Sequence, residues 1–298
     1  SIPSAPATQM LTPTDWHDYE LLDSGDGMKL ERWKDVVLAR PDPVALWPRQ
    51  MPEARWLEAD GTYVRSKTGG GKWRFRNRRP ESWMLEYKDL KFRVRPTNFK
   101  HVGLFPEQAG NWDWMTQKLK TQMSNVKSST KPKVLNLFAY TGAATVACAK
   151  AGADVTHVDS AKGMVEWASE NAKLNGVDAR WIVDDVVQFV ERERRRGNRY
   201  EGIIMDPPTY GRGAAGETWK IEEHLWPLVA NCAKLLSDTP LFFVINSYTA
   251  GLSPTVMENV LRATIGERGK YESFELGLHG RNPISTILPA GASARGPA

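Results

Sequence analysis

Cysteine is scarce in this 298-residue sequence, which contains only Cys148 and Cys232. Two thiols cannot form a disulfide framework, and both lie in helix-like stretches, so we expect reduced thiols in a cytoplasmic protein. A run of about 18 or more apolar residues is also absent, and residues 1–14 contain neither a basic nor an apolar segment. These absences predict no membrane span and no signal peptide.

Histidine is sparse as well. The five histidines are scattered, and no pair of them has the spacing of metal ligands, so we expect no metal site. Hydrophobic residues make up 41% of the chain and charged residues 25%, which is the balance of a globular protein with a sizeable core. Disordered and collagen-like classes are therefore excluded.

The positive charge is confined to the N-terminal half. Residues 1–130 contain 21 Lys and Arg against 16 Asp and Glu, whereas residues 131–298 contain 19 of each. The segment from Arg65 to Lys100, called the basic segment below, holds twelve basic and three acidic residues with six aromatic residues among them. This pattern predicts RNA contact, with Trp73 or Trp83 available for stacking. A solvated basic hairpin with its tryptophans in the core is the alternative.

The chain pattern changes near residue 130. After a flexible terminus of residues 1–15, residues 16–105 show short β-type runs and turns, which predict a small antiparallel β domain. Residues 106–130 are typical of a helix and a linker. Residues 131–298 alternate predicted strands and helices. One of these helices spans residues 218–236, and one of the two closing strands spans residues 284–288. The alternation predicts an α/β domain with a mostly parallel sheet and helices on both faces.

Ligands of open α/β sheets bind beyond the carboxyl ends of the strands, so the residues after each predicted strand are the candidate site. The first strand is followed by a tight turn into a helix, made of Phe138, Ala139, Tyr140, Thr141 and Gly142. This turn lacks the G-x-G-x-x-G of dinucleotide sites. It suits a ligand without phosphates, such as the amino-acid end of S-adenosylmethionine, better than a dinucleotide.

Acidic residues follow the next two predicted strands. Asp159 ends the second strand and precedes Ser160, and a carboxylate there can accept both ribose hydroxyls, which NAD and S-adenosylmethionine each require. Asp184 and Asp185 follow the third strand and can accept from an adenine amino group. Helix N-capping is the alternative role for these two residues.

The loop after the fourth predicted strand reads Asp206, Pro207, Pro208, Thr209 and Tyr210. Two consecutive prolines fix the backbone and remove two N–H donors, which leaves the carbonyls to aim at a substrate. The ring of Tyr210 can stack a planar base. A rigid loop with a capping aspartate is the alternative, but the position after a buried strand favours function.

These motifs together resemble a known family. Residues 133–213 resemble class I S-adenosylmethionine-dependent methyltransferases, and among them the bacterial large-subunit (23S) ribosomal RNA methyltransferases of the I/K family, which modify cytosine C5 or guanine N7. The resemblance implies a Rossmann-like, seven-stranded domain that uses S-adenosylmethionine and releases S-adenosylhomocysteine. The implied positions are the methionine moiety by Tyr140 to Gly142, the ribose at Asp159, the adenine near Asp185, and the target base by Asp206 to Tyr210.

Cysteine is also missing where one reaction of the family would need it. Methylation of a pyrimidine C5 requires a thiolate that adds at C6, from a Cys after the fourth or fifth strand. Those positions here are residues 206–209 and 246–249, without Cys. We therefore expect transfer to a base nitrogen. A ring nitrogen already offers its lone pair, whereas an exocyclic amine needs an acceptor such as Asp206, and both remain open.

The sequence thus predicts a cytoplasmic methyltransferase that acts on ribosomal RNA, without a membrane partner, and it leaves a homodimer open. Methylation of a protein or a small molecule is the alternative among enzymes. A non-catalytic RNA-binding protein and an NAD-dependent oxidoreductase are the alternatives from other classes. The oxidoreductase lacks support because no phosphate-binding glycine set is evident and residues 131–298 contain no catalytic Tyr-x-x-x-Lys pairing.

Overall fold

The computed structural model describes residues 9–125, 130–213, 216–281 and 287–297. The predicted terminus lies largely outside these ranges, as do parts of the predicted linker and of the closing strand at 284–288. The chain forms two compact units. The N-terminal unit comprises residues 12–110 and 277–289, and the C-terminal unit comprises residues 1–11, 111–276 and 290–298. The domain boundaries inferred from the sequence stay predictions.

The described residues up to Asn125 form short strands and two helices. The strands are β1 (Met10–Leu11), β2 (Tyr19–Gly25), β3 (Met28–Trp33), β4 (Val36–Pro41), β5 (Gly61–Arg65), β6 (Gly71–Phe75), β7 (Trp83–Tyr87) and β8 (Leu90–Val94). The helices are α1 (Glu53–Leu57) and α2 (Ala109–Asn125), and a 3-10 turn (Pro106–Gln108) precedes α2.

The N-terminal unit contains a five-stranded sheet in the order β2-β3-β4-β5-β6 and a separate β7-β8 hairpin. Neighbouring strands of the five-stranded sheet are antiparallel, as predicted, except that β4 and β5 pair in parallel. The residues between β4 and β5 include α1 and return the chain to the starting end of the sheet, which parallel pairing requires.

A buried ion pair ties three strands of this unit together. Arg40 donates to both carboxylate oxygens of Glu31 at 2.6 and 2.7 Å, and the Tyr19 hydroxyl donates to the same carboxylate at 2.7 Å. Burial by itself would raise the pKa of Glu31, but the charges of Arg40 and Lys29 lower that pKa to about 2. Because a buried charge is costly without its partner, this pair favours a single arrangement of β2, β3 and β4.

The described residues from Lys131 onwards alternate strands and helices. The strands are β9 (Lys133–Leu137), β10 (Asp154–Asp159), β11 (Arg180–Val183), β12 (Gly202–Met205), β13 (Tyr210–Arg212), β14 (Thr218–Lys220), β15 (Phe242–Ser247), β16 (Glu272–His279) and β17 (Ile287–Gly296). The helices are α3 (Ala143–Lys150), α4 (Lys162–Leu174), α5 (Val186–Arg196), α6 (Ile221–Ala233) and α7 (Pro254–Ile265).

The main sheet of the described residues has the order β1-β16-β17-β15-β12-β9-β10-β11. The five strands from β15 to β11 are parallel, and β17 is antiparallel to β15. The predicted seven strands are present, and the two-residue β1 adds an edge through its parallel pairing with β16. The strand order reverses at β9, which places the topological switch point between β9 and β12.

Local sequence explains where these elements begin and end. All four residues of β12 are buried, as expected for a central parallel strand covered on both faces. Asp185 caps α5 by accepting from Gln188 N, and Gly197 ends that helix with a φ of 71°. The helix predicted over 218–236 begins at Ile221 instead, because residues 218–220 pair with β13 as strand β14.

In the described part of the chain, none of the helices combines the length and the apolar character needed to cross a membrane.

Candidate active site

The candidate site lies at the carboxyl ends of four adjacent strands, β12, β9, β10 and β11. Each of these parallel strands ends at the same edge of the sheet, and each is followed by residues that the sequence singled out. The fold therefore brings the turn after β9, Asp159, the acids after β11 and the loop after β12 to one edge.

The turn after β9 has an unusual backbone. Phe138 and Tyr140 both have a φ of 53°, and Gly142 has a φ of 80°. Non-glycine residues in this left-handed region cost free energy and persist where their surroundings hold them. Here the holding contacts run from Ala139 N to Val158 O at 3.1 Å and from Tyr140 N to Asp159 Oδ2 at 2.9 Å.

Asp159 does two things at this edge. Its Oδ2 accepts from Tyr140 N and its Oδ1 accepts from Ala161 N, each at 2.9 Å. Burial raises the pKa of this carboxyl above 3.8, and the two backbone hydrogen bonds oppose that shift. Since each carboxylate oxygen can accept two hydrogen bonds, both oxygens keep capacity for a diol such as a ribose.

A buried polar network lies beneath the turn. Asn136 Nδ2 donates to Thr145 Oγ1 at 3.0 Å, and Thr145 Oγ1 lies 2.9 Å from His157 Nδ1. Asn171 Nδ2 donates to the Thr141 carbonyl at 2.9 Å. Burial lowers the pKa of His157 to about 3, so this imidazole is neutral at ordinary pH. His157 is a core residue, in agreement with its predicted place in a buried strand.

The acids after β11 are engaged in local contacts. Asp185 Oδ1 accepts from Gln188 N at 2.9 Å, which is the capping role weighed against adenine recognition. Asp184 forms an ion pair with Arg192, and its backbone N–H donates to the Asp159 carbonyl. Ser160 is exposed beside Asp159. The adenine contacts of Asp184 and Asp185 stay predictions.

The loop after β12 is held from three sides. Trp219 Nε1 donates to the Pro208 carbonyl at 2.6 Å, Ile221 N donates to the Thr209 carbonyl at 3.1 Å, and the Thr209 and Thr249 hydroxyls lie 2.6 Å apart. The expectation that the loop carbonyls aim at a substrate is wrong for Pro208, because the indole of Trp219 occupies that carbonyl. Asp206 and Pro207 at the start of the loop are half-buried and buried.

Sequence reasoning missed Trp219. Its ring lies 5.2 Å from that of Phe138, between centroids, and 5.6 Å from that of His224. Tyr210, the aromatic residue that the sequence did identify, is 51% exposed, and its hydroxyl accepts from Arg212 Nε at 2.9 Å. The signal that could have found Trp219 is its place in a short β run after the strand, before the amphipathic helix.

Both cysteines are buried core residues away from the strand ends. Burial raises the pKa of Cys148 to about 12 and also raises that of Cys232. Cys148 lies within α3 and Cys232 within α6. Neither thiol is therefore a thiolate nucleophile, in agreement with the sequence prediction.

A mostly parallel sheet with an antiparallel β17 and a carboxylate at the end of its second strand is typical of the class I methyltransferases. The family model described as S-adenosylmethionine-dependent methyltransferase matches residues 68–253. The chain belongs to this family, and the fold class and the family predicted from the sequence are confirmed.

Named relatives extend the similarity. The chain is 30% identical over 213 residues to the ribosomal RNA large subunit methyltransferase K/L of Shewanella baltica, across 70% of this chain and 27% of the relative. It is 25% identical to the ribosomal RNA large subunit methyltransferase K of Neisseria meningitidis, across 84% and 72%. The chain thus spans about a quarter of the K/L relatives and most of the K relative.

One solved structure matches nearly the whole chain. The S-adenosylmethionine-dependent methyltransferase of Agrobacterium tumefaciens is 36% identical, with a TM-score of 0.89, and the match covers 97% of this chain and 93% of that one. The N-terminal unit is therefore part of the shared architecture.

Gly142 provides a test of how tightly the turn is packed. A Cβ on Gly142 would lie 2.8 Å from Ala168 Cβ, whereas one on Gly197, at a similar φ of 71°, would meet nothing within 4 Å. We expect Gly197→Ala to cost about 1 kcal/mol of unfolding free energy and Gly142→Ala to cost about 1 to 3 kcal/mol more. Urea unfolding measures both. Equal losses would contradict the close approach of the turn to α4.

Proposed function

We propose that this chain transfers the methyl group of S-adenosylmethionine to a base nitrogen of ribosomal RNA. The observation that carries the proposal is the placement of two elements on either side of β9: the half-buried acceptor Asp159 at the end of β10 and the rigid loop of residues 206–210 after β12. The named relatives support ribosomal RNA as the substrate class.

The residues around the turn fit S-adenosylmethionine. Asp159 accepts the ribose hydroxyls, and the first backbone N–H groups of α3, which have no partner within the helix, face the methionine carboxylate. The second carboxylate oxygen of Asp185 remains for the adenine amino group. The rest of the cofactor site comprises Phe138, Ala139, Tyr140, Thr141, Gly142, Ser160, Asp184 and Asp206. When bound, the cofactor supplies an electrophilic methyl group on its sulfonium.

The loop after β12 positions the base. The Asp206 carboxylate and the Pro207 carbonyl accept hydrogens from an amino group of the base, and the exposed ring of Tyr210 stacks on the base plane. Pro208 contributes rigidity, because its own carbonyl is held by Trp219. Orientation in line with the methyl group supplies most of the rate, since a ring nitrogen offers its lone pair without a general base.

The chemistry of the thiols supports nitrogen over carbon as the target. C5 methylation of a pyrimidine needs a thiolate within reach of the base. Burial keeps both thiols of this chain protonated, and residues 206–209 and 246–249 contain no Cys. Reduced buried thiols and a ribosomal substrate also support a cytoplasmic location.

The basic segment supports RNA binding by the N-terminal unit. Lys72, Arg74 and Arg76 are exposed on or next to β6, an edge strand of the five-stranded sheet, and none of the three forms an ion pair with a described residue. Such cations neutralise phosphates at low cost. The indole N–H groups of Trp73 and Trp83 donate to Phe99 O and Trp33 O, so both tryptophans are anchored within their unit.

Transfer of label tests the function directly. The chain is incubated with tritium-labelled S-adenosylmethionine and separate RNA, protein and metabolite fractions, and we expect label in ribosomal RNA that digestion releases as an N-methylated base. Asp206→Asn should lower this transfer about tenfold or more, because the base loses its orienting acceptor. The exposed Asp238→Asn is the control. Label confined to protein or metabolites would overturn the RNA assignment.

Asp159→Asn tests the cofactor site. The amide cannot accept at both positions, so we expect the affinity for S-adenosylhomocysteine to weaken by about 1 to 3 kcal/mol. The control is Asp178→Asn, an exposed carboxylate that also accepts a backbone N–H but precedes β11. Titration calorimetry measures both variants.

The same titration has a pH signature. Burial raises the pKa of Asp159, so lowering the pH should weaken cofactor binding to the native chain beginning above the ordinary aspartate value of 3.8. The Asp159→Asn variant should lack this dependence, because its amide has no proton to gain there. Unchanged affinity in the Asp159→Asn variant would place the ribose elsewhere.

Salt dependence tests the basic segment. Replacing Lys72, Arg74 and Arg76 by Ala should weaken RNA binding and lower the slope of log affinity against log salt by about two, since roughly 0.7 counterions are released per phosphate of single-stranded RNA. The control removes three exposed charges of the C-terminal unit, Lys173, Arg195 and Lys234. Filter binding at several salt concentrations measures both. An equal slope change in the two triple variants would exclude a specific role of Lys72, Arg74 and Arg76 in RNA binding.

A further inference from the structure

Trp219 contacts both halves of the candidate site. Its indole N–H donates to the Pro208 carbonyl at 2.6 Å, within the loop assigned to the target base. Its ring lies 5.2 Å from the ring of Phe138, at an interplanar angle of 57°, in the turn assigned to the cofactor. These two segments follow different strands, β12 and β9, and Trp219 joins them through one rigid side chain.

The Asp-Pro-Pro loop depends on donors from outside. Pro207 and Pro208 have no backbone N–H, so the loop cannot form the amide hydrogen bonds of an ordinary turn through these residues. The indole of Trp219 supplies a donor to the peptide that joins Pro208 to Thr209. A displacement of this indole therefore also displaces the Pro208–Thr209 peptide, which lies two residues after Asp206.

The cofactor turn has a similar dependence. Phe138 has a left-handed φ of 53° and packs, half-buried, against a hydrophobic core cluster against which Trp219 also packs. A side chain in a strained backbone is held by its neighbours, and the indole of Trp219 is one of them.

The indole itself is fixed on its other side. Gly211 of β13 pairs with Trp219 of β14, so the hairpin sets the backbone position. The imidazole of His224, on the first turn of α6, lies 5.6 Å from the indole at an interplanar angle of 30°. His224 Nδ1 lies 2.9 Å from the backbone N of Lys220, where α6 begins. The indole consequently has a defined orientation between α6 and the cofactor turn.

We propose that Trp219 is a positioning residue that couples the cofactor turn to the target-base loop, so that occupation of the turn orders the loop around Asp206. This inference rests on the proposed function for the identity of the two ligands. The hydrogen bond from Trp219 to Pro208 sets the position of the base, and the ring contact between Trp219 and Phe138 links the loop to the occupation of the cofactor turn.

Two substitutions separate these contacts. Trp219→Phe keeps an aromatic ring beside Phe138 but removes the donor to Pro208, so we expect kcat to fall about tenfold with little change in KM for S-adenosylmethionine. Trp219→Ala removes both contacts and should raise that KM as well. A loss of stability alone would also lower the apparent kcat and leave KM unaltered. We therefore refer kcat to the folded fraction of each variant, and the raised KM of Trp219→Ala is the change that a loss of stability does not produce.

The matched control is Trp226→Phe. Trp226 lies on α6, is 53% exposed, and forms no hydrogen bond or ring contact with the described residues. It should retain native kcat and KM, and thermal unfolding should show all three variants folded. Equal kinetics for Trp219→Phe and Trp226→Phe would overturn the positioning role.

Hydrogen–deuterium exchange tests the coupling without RNA or turnover. In the native chain, S-adenosylhomocysteine should slow amide exchange at residues 209–212, and Trp226→Phe should respond in the same way. Trp219→Ala should bind the same molecule but lose this response. A native chain that shows the response but transfers no label to RNA would defeat the proposed substrate and leave the coupling supported. A response that persists in Trp219→Ala, or is absent from the native chain, would overturn the coupling.

Discussion

The hydrogen bonds between the Asp159 carboxylate and two backbone N–H groups are the constraint on which the candidate site depends. Tyr140 has a left-handed φ, which is strained for a residue other than glycine. The Asp159 carboxylate, on the adjacent strand, stabilises this conformation by accepting a hydrogen bond from Tyr140 N. The same group is buried enough for its pKa to rise, so its charge is costly and its remaining lone pairs attract donors strongly. One side chain therefore shapes the turn and, in the proposed function, also supplies the acceptors for the cofactor ribose.

The loop after β12 is stabilised by a different set of contacts from those of the turn. The turn at residues 138–142 is held largely by one carboxylate and a polar network beneath it, whereas the Asp-Pro-Pro loop is held by β14, the start of α6 and the segment after β15. Its prolines make it stiff but poor in donors, so its position is set by residues up to forty positions away. The two halves of the site thus have largely different supports, and Trp219 is a contact that they share.

Local pattern explains which parts of the molecule could be predicted. Asp159 and Asp206 each follow a buried apolar strand, and parallel topology brings such residues together whatever the details of packing. Trp219 was missed, because its importance arises from a hairpin whose second strand, residues 218–220, lies within a predicted helix. The parallel pairing of β4 with β5 was also hidden, since pairing direction depends on where the chain returns after α1.

The division of the chain into units has a consequence for its synthesis. Residues 9–11 pair with β16 in the C-terminal unit, and Leu21 of β2 forms a bridge with Gly280 near the other end of the chain. Domains commonly fold one after another as they leave the ribosome. Here β1 and β2 pair with residues that are translated more than 250 residues later. Neither unit can therefore be completed before residues 275–280 have been synthesised.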